Sequence, residues 1–464
     1  MRAHKLTLVR VMPSIFGGRR QQQILRLCSA LPPILFTCVA LWFFAFLFHH
    51  STSPQLIQTS QSVFEKQPSD QPTVSSGHED LGAWSLRQEE AGIEPGRKAP
   101  TALPLNPTCN LAQGKWVRDR HRKPVYDESC RDIFKGWNCL RNNKSNARDI
   151  LTWRWQPLHC DLPQMNATLF LEYFKNKRIG FVGDSLNRNM YVSFVCSLKQ
   201  ASHQVRKWRP VAADKALTFL DYNLTVAYHR TNLLARYGQW EAKEDSGPLE
   251  KLGLVRGYRV DVDVPQSTWA EAPLFHDVLI LNTGHWWWAP EKFDSVKTPM
   301  LFFQRGEPVI PTKSPEEGLD MVLGNMLAYV ERRMSAEGLM FLRTQSARHF
   351  EGGDWNEGGR CQRSKPLAEE EAKAWFALSG NPGPNAEMSK ANLHLAKAIE
   401  GTKFELLNVS YLSSLRAEAH PSLSAGKLHE DCMHWCLPGV TDTWNDMLVM
   451  RLLQLQQEAS NDKS

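Results

Sequence analysis

The first thirty residues contain no aspartate or glutamate, whereas Arg2, Lys5, Arg10, Arg19, Arg20 and Arg26 supply six positive charges. Apart from those six, basic and acidic residues are equal in number, 49 of each, although the 464-residue chain is formally +6. The part that folds therefore has no charge excess, which gives no support to nucleic-acid binding or to capture of acidic partners by the overall field. A glycine-rich dinucleotide fingerprint and a phosphate-binding loop are missing from the expected strand–helix context, so no bound cofactor is implied. No internal repeat is visible. Cysteine is sparse, ten in all. Cys432 and Cys436 lie beside His434 and near His429, but without a second Cys-x-x-Cys pair a zinc site is the weaker reading, and no metal is expected.

Charged residues are also absent from Leu27 to Phe48, LCSALPPILFTCVALWFFAFLF. Such a run is long enough to cross about 30 Å of hydrocarbon as a helix. Basic residues crowd its N-terminal side, which places the N-terminus in the cytosol, and no small-x-small cleavage site directly follows Phe48. The expected organisation is a cytosolic basic tail over 1–26, a transmembrane signal anchor over 27–48, a flexible luminal stem over 49–107 and a luminal catalytic domain over 108–464. The stem is rich in Ser, Gln, Pro and Glu and cannot bury enough apolar surface to offset the entropy of ordering. Thiols oxidise in the secretory lumen, and the eight cysteines after the anchor (Cys109, Cys130, Cys139, Cys160, Cys196, Cys361, Cys432 and Cys436) suit four disulfides. Asn143, Asn166, Asn223 and Asn408 each begin a glycosylation sequon, in keeping with that compartment.

Within the catalytic domain, RIGFVG (178–183), DVLILN (277–282), LMFLRT (339–344) and FELLNVS (404–410) predict buried strands. The stretches 186–199, 318–334, 369–378, 388–401 and 443–457 have helical periodicity. Strands alternating with helices predict an α/β fold, a mostly parallel central sheet flanked by helices. The short alternating runs between Lys215 and Tyr258 suggest an inserted hairpin or smaller lobe.

Gly183, Asp184 and Ser185 stand where a buried strand ends and a helix begins, the edge at which α/β sheets collect catalytic groups. Helix-start amides there can stabilise an oxyanion, although a serine in that place often only caps the helix. Serine is a poor nucleophile without a base. HEDCMHWCLPGVTDTWND supplies a candidate, because Asp431 three residues before His434 can hold one imidazole nitrogen while the other faces the nucleophile. Alone, each cluster is ambiguous.

Together with CRDIFKGWNC, WRWQPLHCDLP, LNTGHWW and RTQSARHFEGGDWNEGGRC, these blocks make Cys109 to about Leu453 resemble the plant trichome-birefringence-like proteins. Those are polysaccharide O-acetyltransferases with a GDSL/SGNH-like (PC-esterase) core. The resemblance implies Ser185 as nucleophile, His434 as general base and Asp431 as its orienting partner. It implies an N-terminal family part over about 108–162, a core over about 163–458, and disulfides Cys109–Cys160, Cys130–Cys196, Cys139–Cys432 and Cys361–Cys436. The implied activity is transfer of acetyl through acyl-Ser185 to a plant cell-wall polysaccharide, xylan or another hemicellulose, in the Golgi lumen. The partners are that acceptor, an acetyl donor such as acetyl-CoA or an acetylated intermediate, the Golgi membrane and a donor-supplying membrane protein. An acetylesterase with the same triad and a non-catalytic wall-polysaccharide binder are the rivals.

SGNH-type enzymes add a glycine amide and an asparagine amide to the nucleophile's own N–H. Asn282 and Gly284 in LNTGHWW are the candidates, with Asn223 in DYNLT as rival. Arg188, one turn after Ser185, is a candidate for meeting a donor or carbonyl oxygen, against an ordinary salt bridge. Trp286, Trp287 and Trp288 in a row, with His285 beside them and Trp435 in the catalytic loop, suggest an aromatic glycan cleft. Isolated Trp137 and Trp153 are better explained as core, and His349 as structural or substrate-binding.

Overall fold

The computed structural model describes residues 109–461 except 211, 244–246, 290–291, 378–383 and 424–428. The expected basic tail, anchor and stem lie outside the described residues. Among the described residues no helix is long and apolar enough to cross a membrane.

The N-terminal segment forms an antiparallel pair, β1 (Gly114–Arg118) and β2 (Trp153–Pro157). The chain then builds β3 (Arg178–Gly183), β4 (Val205–Trp208), β5 (Lys215–Phe219) and β6 (Leu224–Arg230). It leaves for β7 (Ala235–Glu241) and β8 (Arg256–Pro265), and returns in β9 (Val278–Leu281). After β10 (Met300–Gln304) and β11 (Glu307–Pro308) it ends with β12 (Leu339–Arg343) and β13 (Glu405–Leu407). The central sheet has the order β13-β12-β9-β3-β6-β5-β4, parallel from β13 to β6 and antiparallel beyond. All four strands expected from the apolar runs are present in it.

The inserted lobe expected over Lys215–Tyr258 needs correction. β5 and β6 belong to the central sheet, and the smaller sheet is β11-β10-β8-β7. Small residues hide the reason: Leu217, Leu224 and Val226 bury one face of the hairpin, and Ala216 and Ala227 bury the other. Alternation of size thus looks like alternation of exposure.

Helices α2 (Ser185–Leu198), α3 (Pro315–Arg333), α4 (Glu369–Trp375), α5 (Pro384–Ala398) and α6 (Val440–Asn461) occupy the expected periodic stretches, and α1 (Ala167–Tyr173) is a further helix that the periodicity does not predict. The period-2 geometry of β3 sends Ile179 and Phe181 into a core shared with α1, α2 and α6, and Val182 into another shared with α3 and the smaller sheet. Helix α3 starts with a full capping box, in which Ser314 and Glu317 satisfy each other's backbone amides. The N-terminal segment joins the first core through Trp137, Ile150 and Trp155.

Cys109–Cys160 and Cys130–Cys196 are paired as the resemblance implies, but the other two bonds are exchanged: Cys139 is joined to Cys436, and Cys361 to Cys432. The backbone explains the exchange. Leu437 donates to the Trp137 carbonyl at 2.9 Å, which brings Cys436 beside Cys139. The Cys361 amide meets Glu430 at 2.8 Å, while Ser422 bridges to Asp431 and its hydroxyl donates to the Cys361 carbonyl, so Cys432 falls beside Cys361.

Candidate active site

Strand β3 ends in a turn that only glycine can make. A Cβ on Gly183 would stand 1.9 Å from Asn282 Oδ1. Asp184 caps α2, accepting from the Leu186 amide, and Ser185 is the first residue of the helix. Its own N–H therefore belongs to the set without an intrahelical partner. Parallel pairing of β9 with β3 brings Asn282 alongside this turn. Asn282 Nδ2 donates to Asp184 Oδ1 at 3.0 Å, and the Asp184 amide donates back to Asn282 Oδ1 at 3.2 Å. From β6, the Tyr228 hydroxyl donates to the carbonyls of Gly183 and Asp184 at 3.1 and 3.0 Å. Burial raises the Tyr228 pKa, so the donor stays protonated.

The second cluster meets the first directly. His434 Nε2 is 2.8 Å from Ser185 Oγ, and its Nδ1 is 3.0 and 3.1 Å from the two Asp431 oxygens. Asp431 also accepts from the His434 amide at 3.1 Å. A carboxylate that grips both backbone and ring fixes the imidazole's orientation and its tautomer. The loop is held between two disulfides, through Cys432 and Cys436. Asn189 of α2 clamps the next residue, accepting from the Trp435 amide at 3.0 Å and donating to its carbonyl at 3.3 Å. His420 Nδ1 donates to the His434 carbonyl at 2.7 Å. The Trp137 ring, from the N-terminal segment, lies 5.0 Å from the His434 imidazole at an interplanar angle of 31°.

Other expected site residues divide. Asn282 and Gly284 are at the site edge, with Gln345 packed where a Cβ of Gly284 would be. Gln345 Nε2 is buried there with no partner among the described residues. His285 is half-buried, and its pKa is held well below the ordinary value by burial, then by Arg348 and His434. Arg188 makes no salt bridge among the described residues, and its guanidinium lies 5.8 Å over Trp137.

Three candidates fall away. Asn223 is a left-handed turn residue before β6, bonded to Asn176 before β3, so it lies at the opposite end of these strands from Ser185. Trp287 is core, donating to Thr283 at 2.9 Å, and does not face a glycan. Trp435 is fully buried, stacked on His420 at 4.2 Å. Of the triplet, Trp286 and Trp288 stay half-buried, and Trp288 donates to Glu316 at 3.3 Å. His349 is structural, 2.7 Å from His420 and 2.9 Å from the Ser414 carbonyl. Asn189, Trp137 and His420 are the residues that sequence reasoning misses. For Asn189 a signal existed, four residues after Ser185 on one helix face; Trp137 and His420 gave none.

A serine at a strand–helix turn, facing a histidine oriented by an aspartate three residues earlier, has the geometry of an acyl-transfer site of the GDSL/SGNH type. Residues 162–451 match the GDSL/SGNH-like acyl-esterase family found in Pmr5 and Cas1p, and residues 107–161 match the PMR5 N-terminal domain. The chain belongs to this family, among the trichome-birefringence-like proteins. It is 53% identical over 364 residues to protein trichome birefringence-like 13 of Arabidopsis thaliana, covering 78% of this chain and 88% of that one. Protein trichome birefringence-like 12 of the same plant is 44% identical, over 75% and 86% of the two chains. Xyloglucan O-acetyltransferase 2, also from Arabidopsis thaliana, is 28% identical over 76% and 84%.

Proposed function

We propose that this protein is a Golgi-luminal O-acetyltransferase, anchored by its N-terminal apolar run, that acetylates a wall polysaccharide through an acyl-enzyme. The observation that carries the reading is the 2.8 Å contact of His434 Nε2 with Ser185 Oγ. His434 takes the hydroxyl proton as the oxygen attacks the donor's acetyl carbonyl, and Asp431 stabilises the imidazolium. The donor's leaving group departs with that proton, and acetyl-Ser185 remains. A sugar hydroxyl then attacks, its proton passing to His434 and finally to Ser185 Oγ. The Ser185 and Gly284 amides serve as oxyanion donors for both tetrahedral intermediates, while Asn282, whose side-chain amide is engaged with Asp184, holds the turn that presents Ser185. Similarity to a xyloglucan O-acetyltransferase supports a hemicellulose acceptor.

Intact mass spectrometry of the full-length protein with an acetyl donor tests this. An acetyl adduct on Ser185 that discharges to one member of an oligosaccharide panel is expected. Acetate release without any acetylated glycan would replace the transferase by an esterase, and full activity in Ser185→Ala would exclude both.

A further inference from the structure

Two arginines stand at the rim of the Ser185 site, and neither makes a salt bridge among the described residues. Arg188 follows Ser185 by three residues on α2, a spacing that puts them on one side of its first turn. Arg230 is the last residue of β6, in register with Gly183 at the end of β3. It comes two residues after Tyr228 and so shares that residue's face of the sheet. On this face the Tyr228 ring lies 6.0 Å from Tyr191 of α2. Arg188, one turn before Tyr191, and Arg230, one step beyond Tyr228, therefore lie at the same end of that aromatic pair, the end of the nucleophile turn.

Electrostatics agree with this placement. Burial raises the Tyr228 pKa most, Asp184 adds to it, and both Arg230 and Arg188 oppose it, so both charges act on one hydroxyl. Lys215, in register with Tyr228 on β5, has its pKa lowered first by burial and next by Arg188. The carboxylate acting on both Tyr228 and Lys215 is Asp214, which forms no ion pair with these cations among the described residues. Arg188 Nε is buried with no hydrogen-bond partner among the described residues. A guanidinium left so pays a desolvation cost that an oxyanion ligand would remove, and its planar fork matches carboxylate and phosphate.

We infer that Arg188 and Arg230, with Lys215 at the margin, form an anion subsite beside Ser185 that holds a carboxylate or phosphate group of a reactant. The inference rests on the acyl-transfer reading of Ser185. Two reactants carry such chemistry: a glycan acceptor containing uronic acid, and a phosphate-bearing acyl donor.

Binding to full-length Ser185→Ala protein in detergent separates them without requiring turnover. One arm compares a uronate-bearing oligosaccharide with its carboxyl-reduced twin, and the other compares coenzyme A with phosphate-free pantetheine. Tighter binding of the uronate oligosaccharide assigns the subsite to the acceptor, and tighter binding of coenzyme A assigns it to the donor. In either case Arg188→Gln or Arg230→Gln should weaken the anionic ligand about tenfold, leave its neutral twin unmoved, and reduce the salt dependence. Equal affinities within each pair, no measurable binding of either anion, or a preference that survives both substitutions overturns the subsite. A missing acetyl adduct on wild-type Ser185 would overturn the acyl-transfer reading instead, and the binding result would still decide whether an anion is held.

Discussion

Ser185 Oγ and His434 Nε2 lie at hydrogen-bond distance, so the proposed nucleophile and base are held in place by the protein's own packing. Ser185→Ala should lower acetyl turnover at least about 10³-fold while leaving the unfolding midpoint within error, checked by acetate release and thermal denaturation. The Asn189 side chain, which spans the Trp435 amide and carbonyl, holds the loop one residue from the base. Asn189→Ala removes two buried hydrogen bonds, and a stability loss of about 1–3 kcal/mol in urea is expected. Turnover should fall about tenfold with KM little changed, because the loop positions His434 rather than the substrate. Ser185, Asp431 and His434 were legible because helix-start and Asp-x-x-His patterns have local spacing. Trp137 was not, since an isolated tryptophan in a short motif carries no sign of which distant ring it will meet. The adjacent tryptophans misled for a related reason: consecutive residues of a 3-10 turn point different ways, so one enters the core while its neighbours do not.

At the scale of elements, the catalytic loop hangs between two crosslinks whose partners lie in different parts of the chain, Cys139 in the N-terminal segment and Cys361 after β12. Non-reducing peptide mapping should recover Cys139 with Cys436 and Cys361 with Cys432. Cys361→Ser with Cys432→Ser should cost about 3–5 kcal/mol, read from the denaturant midpoint, because a long loop is released in the unfolded chain. Strands β3, β9 and β12 were readable as apolar runs because both their faces are covered. The hairpin β5–β6 was assigned to the wrong sheet, since side-chain size and side-chain exposure alternate with the same period of two. Disulfide partners were beyond reach for a physical reason as well: the choice between Cys432 and Cys436 follows from a backbone hydrogen bond at Trp137 and a strand bridge at Ser422, both non-local.

Over the whole molecule, buried imidazoles make stability depend on pH. Burial lowers the pKa of His229, His276, His285 and His420, and brings His349 down to about 4. In the unfolded chain each would titrate near its ordinary value, so the unfolded state binds more protons on acidification. Their contribution is therefore complete above about pH 6.5 and lost as pH falls towards 4, about 3 kcal/mol for His349 alone. Asp446 has the opposite sign: burial raises it to about 7, so it favours the fold as pH falls below that value. Asp442 and Glu387, whose pKa values burial also raises, act in the same sense as Asp446, but the five histidines outnumber these three carboxyls, and the unfolding temperature should drop between pH 7 and 5. His349→Gln should flatten that slope, measured by calorimetry across the range.

The sequence separation of 249 from Ser185 to His434 also orders events in time. A ribosome adding about 5–20 residues per second needs roughly 12–50 s to travel that distance. For that interval a growing chain carries its serine without its base, and Cys139 waits longer still for Cys436. An unfinished chain thus holds a serine that nothing activates, and its Cys139–Cys436 bond can close only once the loop that carries His434 has been made.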